Sequence, residues 1–104
     1  MSAKQFFDEL EGQVEPAEIA GINHSYLFVV AGEGRWLVEV RDGGVRVHED
    51  FQGDDSEADA TISTSGAVFD RLVAGTQNPM TAYMTGKLKV SGDVGAALKL
   101  QKLF

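Results

Sequence analysis

The run between residues 24 and 47 restricts the fold more than any other part of the chain, because it holds three apolar segments joined by tight-turn signals. Residues 24–31 are apolar on both faces of an extended chain, which is typical of a strand covered on both sides. The segment from Trp36 alternates apolar with charged residues, which predicts a strand buried on one side. Gly32-Glu33-Gly34 and Asp42-Gly43-Gly44 predict the two hairpin turns. The chain must therefore cover at least one face of an antiparallel sheet.

The remaining segments predict helices and two further strands. Apolar residues at helical spacing indicate a first helix from Ser2 to Gly12. Alternation of apolar and polar residues indicates a fourth strand at 58–63 and a fifth at 86–91. Three later helix starts are indicated by capping residues or proline, at Thr64 or Ser65, at Asn78-Pro79 and at Gly92-Asp93. The predicted fold class is α+β, with a five-stranded, mainly antiparallel sheet covered by helices in a single domain over residues 1–104.

The polar residues form no pattern that carries catalytic chemistry. Cysteine is absent, which excludes a thiol nucleophile, a thiolate metal site and a disulfide. His24 and His48 each lack a neighbour at metal-ligand spacing, and the acidic residues of segment 50–59 do not match a calcium loop. No serine stands in a nucleophile-elbow context. We therefore expect a protein that is not an enzyme and uses no metal or cofactor.

Charge is distributed unevenly along the chain. The net charge of −7 argues against nucleic acid as a partner, because such binding requires neutralisation of phosphates. Residues 71–104 nevertheless hold five of the nine basic side chains and one of the sixteen acidic ones. These basic residues form either a solvated face or a contact with an anionic head group or an anionic membrane. No apolar run reaches the ~20 residues that span a bilayer, and no secretory signal is visible, so the expected location is the cytoplasm.

The segment after Gly92 is apolar around most of a helical circumference. Such a helix must be buried on more than one side, so it forms a ligand wall, a contact with a second copy of the chain, or part of an ordinary core. Met80 and Met84 lie four residues apart with Tyr83 beside them, and we expect all three on the inner face of their helix. Flexible methionines suit either an adaptable cavity wall or a core.

The second half of the chain resembles the sterol carrier protein type 2 family. The resemblance is carried by Ala60-Thr61-Ile62-Ser63, by Gly75 followed by Asn78-Pro79, and by Gly86-Lys87-Leu88-Lys89-Val90 followed by Gly92-Asp93. In that family a strand of this pattern precedes a closing apolar helix. The first half of the chain agrees with the family in the order of its elements.

The resemblance implies helices and a five-stranded sheet around an apolar tunnel that binds fatty acyl chains, fatty acyl-CoA, sterols or phospholipids. We therefore expect non-enzymatic binding, with or without transfer, of a lipid such as a fatty acid, a fatty acyl-CoA or a sterol. The alternative is an accessory or dimerisation domain, in which the apolar C-terminal helix makes the contact of a homodimer. The candidate ligand-binding residues are Phe28, Trp36, Phe69, Met80, Tyr83, Met84, Leu88, Leu98, Leu103 and Phe104.

Overall fold

The computed structural model describes residues 3–13, 21–41 and 44–99. Within these ranges it contains helices, strands and a short 3-10 turn at Asp55–Glu57. In chain order the elements are α1 (Ala3–Gln13), β1 (His24–Ala31), β2 (Gly34–Arg41), β3 (Gly44–Glu49), β4 (Ala60–Ser65), α2 (Gly66–Ala74), α3 (Pro79–Met84), β5 (Leu88–Gly92) and α4 (Val94–Lys99). The predicted capping residue Ser2 and the Asp42-Gly43 turn lie outside the described residues.

The five strands form one sheet in the order β3-β2-β1-β4-β5. β1 pairs antiparallel with β2, and β2 pairs antiparallel with β3, as the hairpin signals predict. β4 pairs antiparallel with β5 but runs parallel to β1, which places Tyr26 opposite Ala60 and Phe28 opposite Ile62. The sheet is therefore mainly antiparallel with one parallel pair at its centre, and the predicted α+β class is confirmed.

One face of the sheet carries the main hydrophobic core. On β1 the residues of this face are Tyr26, Phe28 and Val30, and all three are buried. Leu27 points to the opposite face, because successive side chains of a strand alternate, and it pairs with Leu37 of β2. The apolar pattern on both faces of β1 therefore corresponds to burial on both faces.

The helices cover the core face in two groups. α1 packs on β3 and on α2, whereas α3 packs on β5 and α4 packs on β4 and β5. The first group closes over large aromatic side chains, since Phe7 of α1 stacks on Trp36 with ring centroids 4.8 Å apart. In the second group, α3 has six residues and the described part of α4 also has six. Among the described residues, the longer helices thus cover one end of the sheet and the shorter ones the other.

Capping residues fix the starts of the later helices. The Ser65 hydroxyl accepts a hydrogen bond from the amide of Val68 at 3.2 Å and thereby caps α2. The Asn78 side chain accepts from the amides at the second and third helical positions of α3, which begins with Pro79. The Asp93 carboxylate accepts from the amide of Ala96 at 3.0 Å and caps α4. The predicted helix starts therefore stand at the predicted places.

The bounds of two strands differ from the prediction. The fourth strand was expected over 58–63, but β4 begins at Ala60, because Asp59 instead exchanges hydrogen bonds with the backbone of Ser25. The fifth was expected over 86–91, but β5 begins at Leu88, because the amide of Lys87 bonds to the carbonyl of Ala82 and closes the end of α3. The partner of Asp59 thus lies in β1, 34 residues away, whereas the partner of Lys87 lies in the helix directly before it.

Two glycines flank β5, and they differ in how closely the neighbouring backbone approaches them. Gly92 has φ of 84°, and an added Cβ would lie 2.6 Å from the carbonyl oxygen of Asp59. Gly86 has a similar φ of 79° but has nothing within 4 Å of an added Cβ. The positive φ alone favours glycine by about 1–2 kcal/mol at both positions. Only at Gly92 would a side chain also clash with the neighbouring backbone.

We predict that Gly92→Ala lowers the free energy of unfolding by more than 2 kcal/mol, roughly twice the loss in Gly86→Ala, since the clash adds to the strain. Urea unfolding of both variants measures the difference. Equal losses in the two variants would contradict the close packing of Gly92 against Asp59.

Candidate functional site

An apolar cavity lies between the sheet and the helices of the second group. Its walls come from β1, β4, α2, α3, β5 and α4. The lining residues are Phe28, Ile62, Thr64, Phe69, Leu72, Pro79, Met80, Tyr83, Leu88, Val90, Val94, Ala97 and Leu98.

The cavity has a buried end and an exposed end. The lining residues on β1, β4 and α2 are buried, and Phe69 and Phe28 are the least exposed of them. The lining residues on α3 and α4 are partly exposed, and Leu98 is exposed over 41% of its surface. The opening of the cavity therefore lies where α3 and α4 border it.

Among the described residues, the cavity wall contains no charged side chain. Its polar members are Thr64 and Tyr83, and the Thr64 hydroxyl already donates a hydrogen bond to the carbonyl of Lys87 at 2.9 Å. Apolar walls with few polar groups favour an apolar guest, because an ionised group would lose its hydration without finding a partner. The chemistry of the wall therefore suits a hydrocarbon chain.

The free space in the cavity is narrow. It amounts to about 50 Å³, on a measure by which a single water requires roughly 10–15 Å³. A guest larger than a few atoms must therefore displace part of the wall. Met80 belongs to the wall and has a flexible, unbranched side chain, which adapts to such a change more easily than a branched one.

The closing helix α4 is held to the sheet by the buried hydroxyl of Tyr26. This hydroxyl donates a hydrogen bond to the carbonyl of Ala96 at 2.8 Å. Burial, together with the negative charges of Asp59 and Asp93, raises the pKa of Tyr26 to about 12. The hydroxyl therefore keeps its proton and its role as donor throughout the physiological range.

The described residues contain no group of three or more histidine, aspartate or glutamate side chains placed to hold a metal ion. The two histidines each face one carboxylate, with His24 3.4 Å from Asp59 and His48 3.5 Å from Glu39. Neither pair lies in the cavity wall. Among the described helices, none is long and apolar enough to cross a membrane.

Comparison with known proteins assigns the family. The model of the SCP-2 sterol transfer family matches residues 4–104. The chain belongs to the SCP-2 sterol transfer family. The resemblance drawn from the second half of the sequence is thereby confirmed, and it extends over the first half as well.

The chain is similar to parts of two longer proteins. It is 34% identical to hydroxysteroid dehydrogenase-like protein 2 of Xenopus laevis over 96% of its length. It is 39% identical to sterol carrier protein 2 of Homo sapiens over 68% of its length. The chain spans only 24% and 12% of these two relatives, respectively.

A solved structure of an SCP-2 domain shares the fold. The sterol carrier protein domain 2 of Helicoverpa armigera superposes with a TM-score of 0.71 at 26% identity, with 96% of this chain and 80% of that one covered. The arrangement of a five-stranded sheet and helices is therefore the arrangement of the family.

Six of the ten candidate ligand-binding residues border the cavity of this SCP-2 chain. They come from five different elements, so the fold brings together residues that are far apart in sequence. These six residues are Phe28, Phe69, Met80, Tyr83, Leu88 and Leu98.

Four candidates do not line the cavity as described. Met84 was expected on the inner face of its helix, but it is 77% exposed, because Ala82 is the buried residue of α3 and turns Met84 toward solvent. Trp36 lies outside the wall, since it stacks on Phe7 beneath α1. Leu103 and Phe104 lie outside the described residues.

The wall also contains residues that the sequence analysis did not select. Ile62 and Val90 follow from strand alternation, and Val94 and Ala97 follow from the stripe of the closing helix. Leu72 and Pro79 stand in helices whose relative placement no local pattern specifies. Periodicity identified the faces of these elements but not the point at which the faces meet.

The hydrogen bond from Tyr26 to Ala96 can be tested by measuring the free energy of unfolding as a function of pH. We predict that Tyr26→Phe lowers the free energy of unfolding by about 1 kcal/mol at neutral pH, because the carbonyl of Ala96 loses its donor. The ordinary pKa of tyrosine is 10.0 and the folded value is higher, so the unfolded chain releases this proton first as the pH rises. The stability contributed by Tyr26 is therefore complete below pH 10 and decreases above it.

The stability gap between the parent chain and Tyr26→Phe should accordingly narrow as the pH rises above 10. Chemical unfolding of both proteins across this range measures it. A gap that is constant or widens with pH would contradict the buried, hydrogen-bonded state of the hydroxyl.

Proposed function

We propose that this chain binds a lipid through its hydrocarbon chain, in the cavity between the sheet and helices α3 and α4. The observation that carries the proposal is the apolar cavity itself, which is buried at one end, open at the other and has no charged side chain among its described lining residues. Membership of the SCP-2 sterol transfer family supports the same function. The domain acts as a carrier and supplies no catalytic group.

A fatty acyl chain fits the cavity better than a sterol does. Each buried methylene contributes about 0.8 kcal/mol, so a long chain binds without specific polar contacts. The free space is narrow, and a slender chain requires less displacement of the wall than a rigid ring system. The relatives named sterol carrier protein 2 give a reason to test a sterol as competitor. Mass spectrometry of an organic extract of the native protein identifies which class is bound.

The head group of such a lipid remains outside the cavity. The first free amides of α3 do not receive it, because the Asn78 side chain already accepts from the amides of Met80 and Thr81. Exposed basic side chains follow the lining residues in sequence instead, with Lys99 directly after Leu98 and Lys87 after the turn that ends α3. These lysines supply the positive charge that a carboxylate or phosphate head group requires.

The same lysines support contact with an anionic membrane from which lipid is taken. Each lysine close to an anionic surface contributes about 1 kcal/mol, or about fivefold in affinity. We predict that Lys87→Gln and Lys99→Gln each weaken binding to vesicles of phosphatidylserine and phosphatidylcholine about fivefold. Co-sedimentation with the vesicles measures this.

Lys4→Gln is the matched control, since it removes the same charge from α1, where Lys4 pairs with Asp8 and Glu49. Binding that falls equally in all three variants would reflect net charge alone and would count against a basic contact surface at the opening.

Leu98 and Met84 provide the direct test of the cavity. Leu98 lines the opening, whereas Met84 is exposed and does not line it. We predict that Leu98→Asp weakens fatty acid binding at least tenfold, because the carboxylate places an unpaired charge against the hydrocarbon chain. Met84→Asp adds the same charge to the neighbouring helix and should leave affinity within about twofold.

Titration of both variants with a fluorescent fatty acid measures the affinities, and thermal unfolding checks that both remain folded. If Met84→Asp loses as much affinity as Leu98→Asp, the cavity described here is not the binding site.

The alternative function is that of an accessory or dimerisation domain. The partial exposure of Leu98, 41% of its surface, on the apolar helix α4 supports it. The same variant distinguishes the two functions. A parent chain that is dimeric, becomes monomeric in Leu98→Asp and keeps its affinity for fatty acid would favour the dimerisation role.

A further inference from the structure

The buried end of the cavity is made of the same aromatic rings as the core beneath α1. Phe28 and Phe69 line the cavity, and both also contact the ring of Phe7. Phe7 and Trp36 belong to the aromatic cluster but do not line the cavity. The two rings of Phe28 and Phe69 therefore separate the cavity from the rest of the core.

These two rings are supported from behind. The centroid of Phe7 lies 5.1 Å from that of Phe28 and 5.4 Å from that of Phe69. Phe7 is itself fixed by stacking on Trp36 at 4.8 Å, and Phe6 adds an edge contact to Phe69 at 5.5 Å. Close-packed rings of this kind leave no room to retreat, because interiors are packed as densely as organic crystals.

At the opposite end of the cavity, the described residues provide no such support. The lining residues there stand on α3 and on the described part of α4, and they are partly exposed. A hydrocarbon chain that enters between these helices can displace them outward. When its end reaches Phe28 and Phe69, it meets a wall that cannot be displaced at comparable cost.

We propose that Phe28 and Phe69 form an end wall that sets the maximum length of hydrocarbon chain the cavity accepts, and that Phe7 acts as a positioning residue that holds this wall. The inference rests on the proposed lipid binding and specifies its ligand as an unbranched chain of limited length. For chains shorter than the limit, the binding free energy grows in proportion to the length of the chain. The extra carbons of a longer chain remain outside the cavity or strain the wall.

The wall has a measurable signature in a series of ligands. Each methylene buried in the cavity increases the affinity about fourfold, which corresponds to about 0.8 kcal/mol of binding free energy. The affinity for saturated, unbranched fatty acids should therefore rise with chain length and then stop rising at the length that reaches the wall. The chain length at which the affinity stops rising, called the break below, therefore depends on the position of Phe28 and Phe69.

The test is the position of the break in variants of the wall. In Phe69→Leu and Phe7→Leu the break should move to longer acids, because either change leaves space at the closed end. An acid just beyond the limit of the parent chain should gain about fourfold or more in affinity for each additional methylene that enters. Acids shorter than the limit should bind these variants as they bind the parent. Isothermal titration with the homologous series measures both effects.

Leu27→Val is the matched control, since Leu27 is fully buried next to Phe28 on β1 but faces the other side of the sheet. This substitution removes core volume without touching the wall. The chain length at which the affinity stops rising should therefore be the same as in the parent chain. A merely structural effect would weaken binding of all acids alike, whereas loss of the wall changes only the long ones. If Phe69→Leu or Phe7→Leu does not unfold cooperatively, Phe28→Leu is tested in its place.

The outcomes separate this inference from the proposed function. If the parent chain binds none of the acids, the proposed function fails and the inference fails with it. If the parent binds and the break stays at the same length in every folded wall variant, only the end wall is overturned.

Discussion

Burial of the core face of β1 is the constraint on which the rest of this structure depends. β1 is the strand that pairs antiparallel with β2 and parallel with β4, so it stands at the centre of the sheet. Its residues Tyr26, Phe28 and Val30 must be covered by helices from both ends of the chain. The parallel pairing with β4 brings the second half of the chain back over this face.

The helices from the two halves of the chain fill the space over β1 to different extents. The cavity lies where this space is filled less. α1 places Phe7 against Phe28, Trp36 and Phe69, which fills the space with large rings. The described parts of α3 and α4 present Met80, Tyr83 and Leu98 to the same face of the sheet, and these side chains leave free space beside the rings. Phe28 belongs to both regions, so the same side chain that completes the core also lines the buried end of the cavity.

Sequence patterns predict most of the fold because the signals are local. The Ser65 cap, the Asn78-Pro79 start and the alternation in the strands each depend on a few neighbouring residues. The orientation of Met84 was not predictable, because a six-residue helix has no long periodic stripe and its rotation is set by burial of Ala82. The separation of Trp36 from the cavity likewise depends on Phe7, which is distant in sequence.

The anchors of α4 determine where this cavity can widen. Asp93 caps the first turn of α4, and the amide of Asp93 bonds to the carbonyl of Asp59, at the start of β4. Tyr26 then holds the carbonyl of Ala96 from below, with a hydroxyl whose proton is retained because of its burial. Leu98 stands beyond these bonds and is partly exposed. Because the fixed part of α4 lies near the sheet and the exposed part near the opening, displacement of the wall by a guest costs least at Leu98, opposite the rigid rings at the closed end.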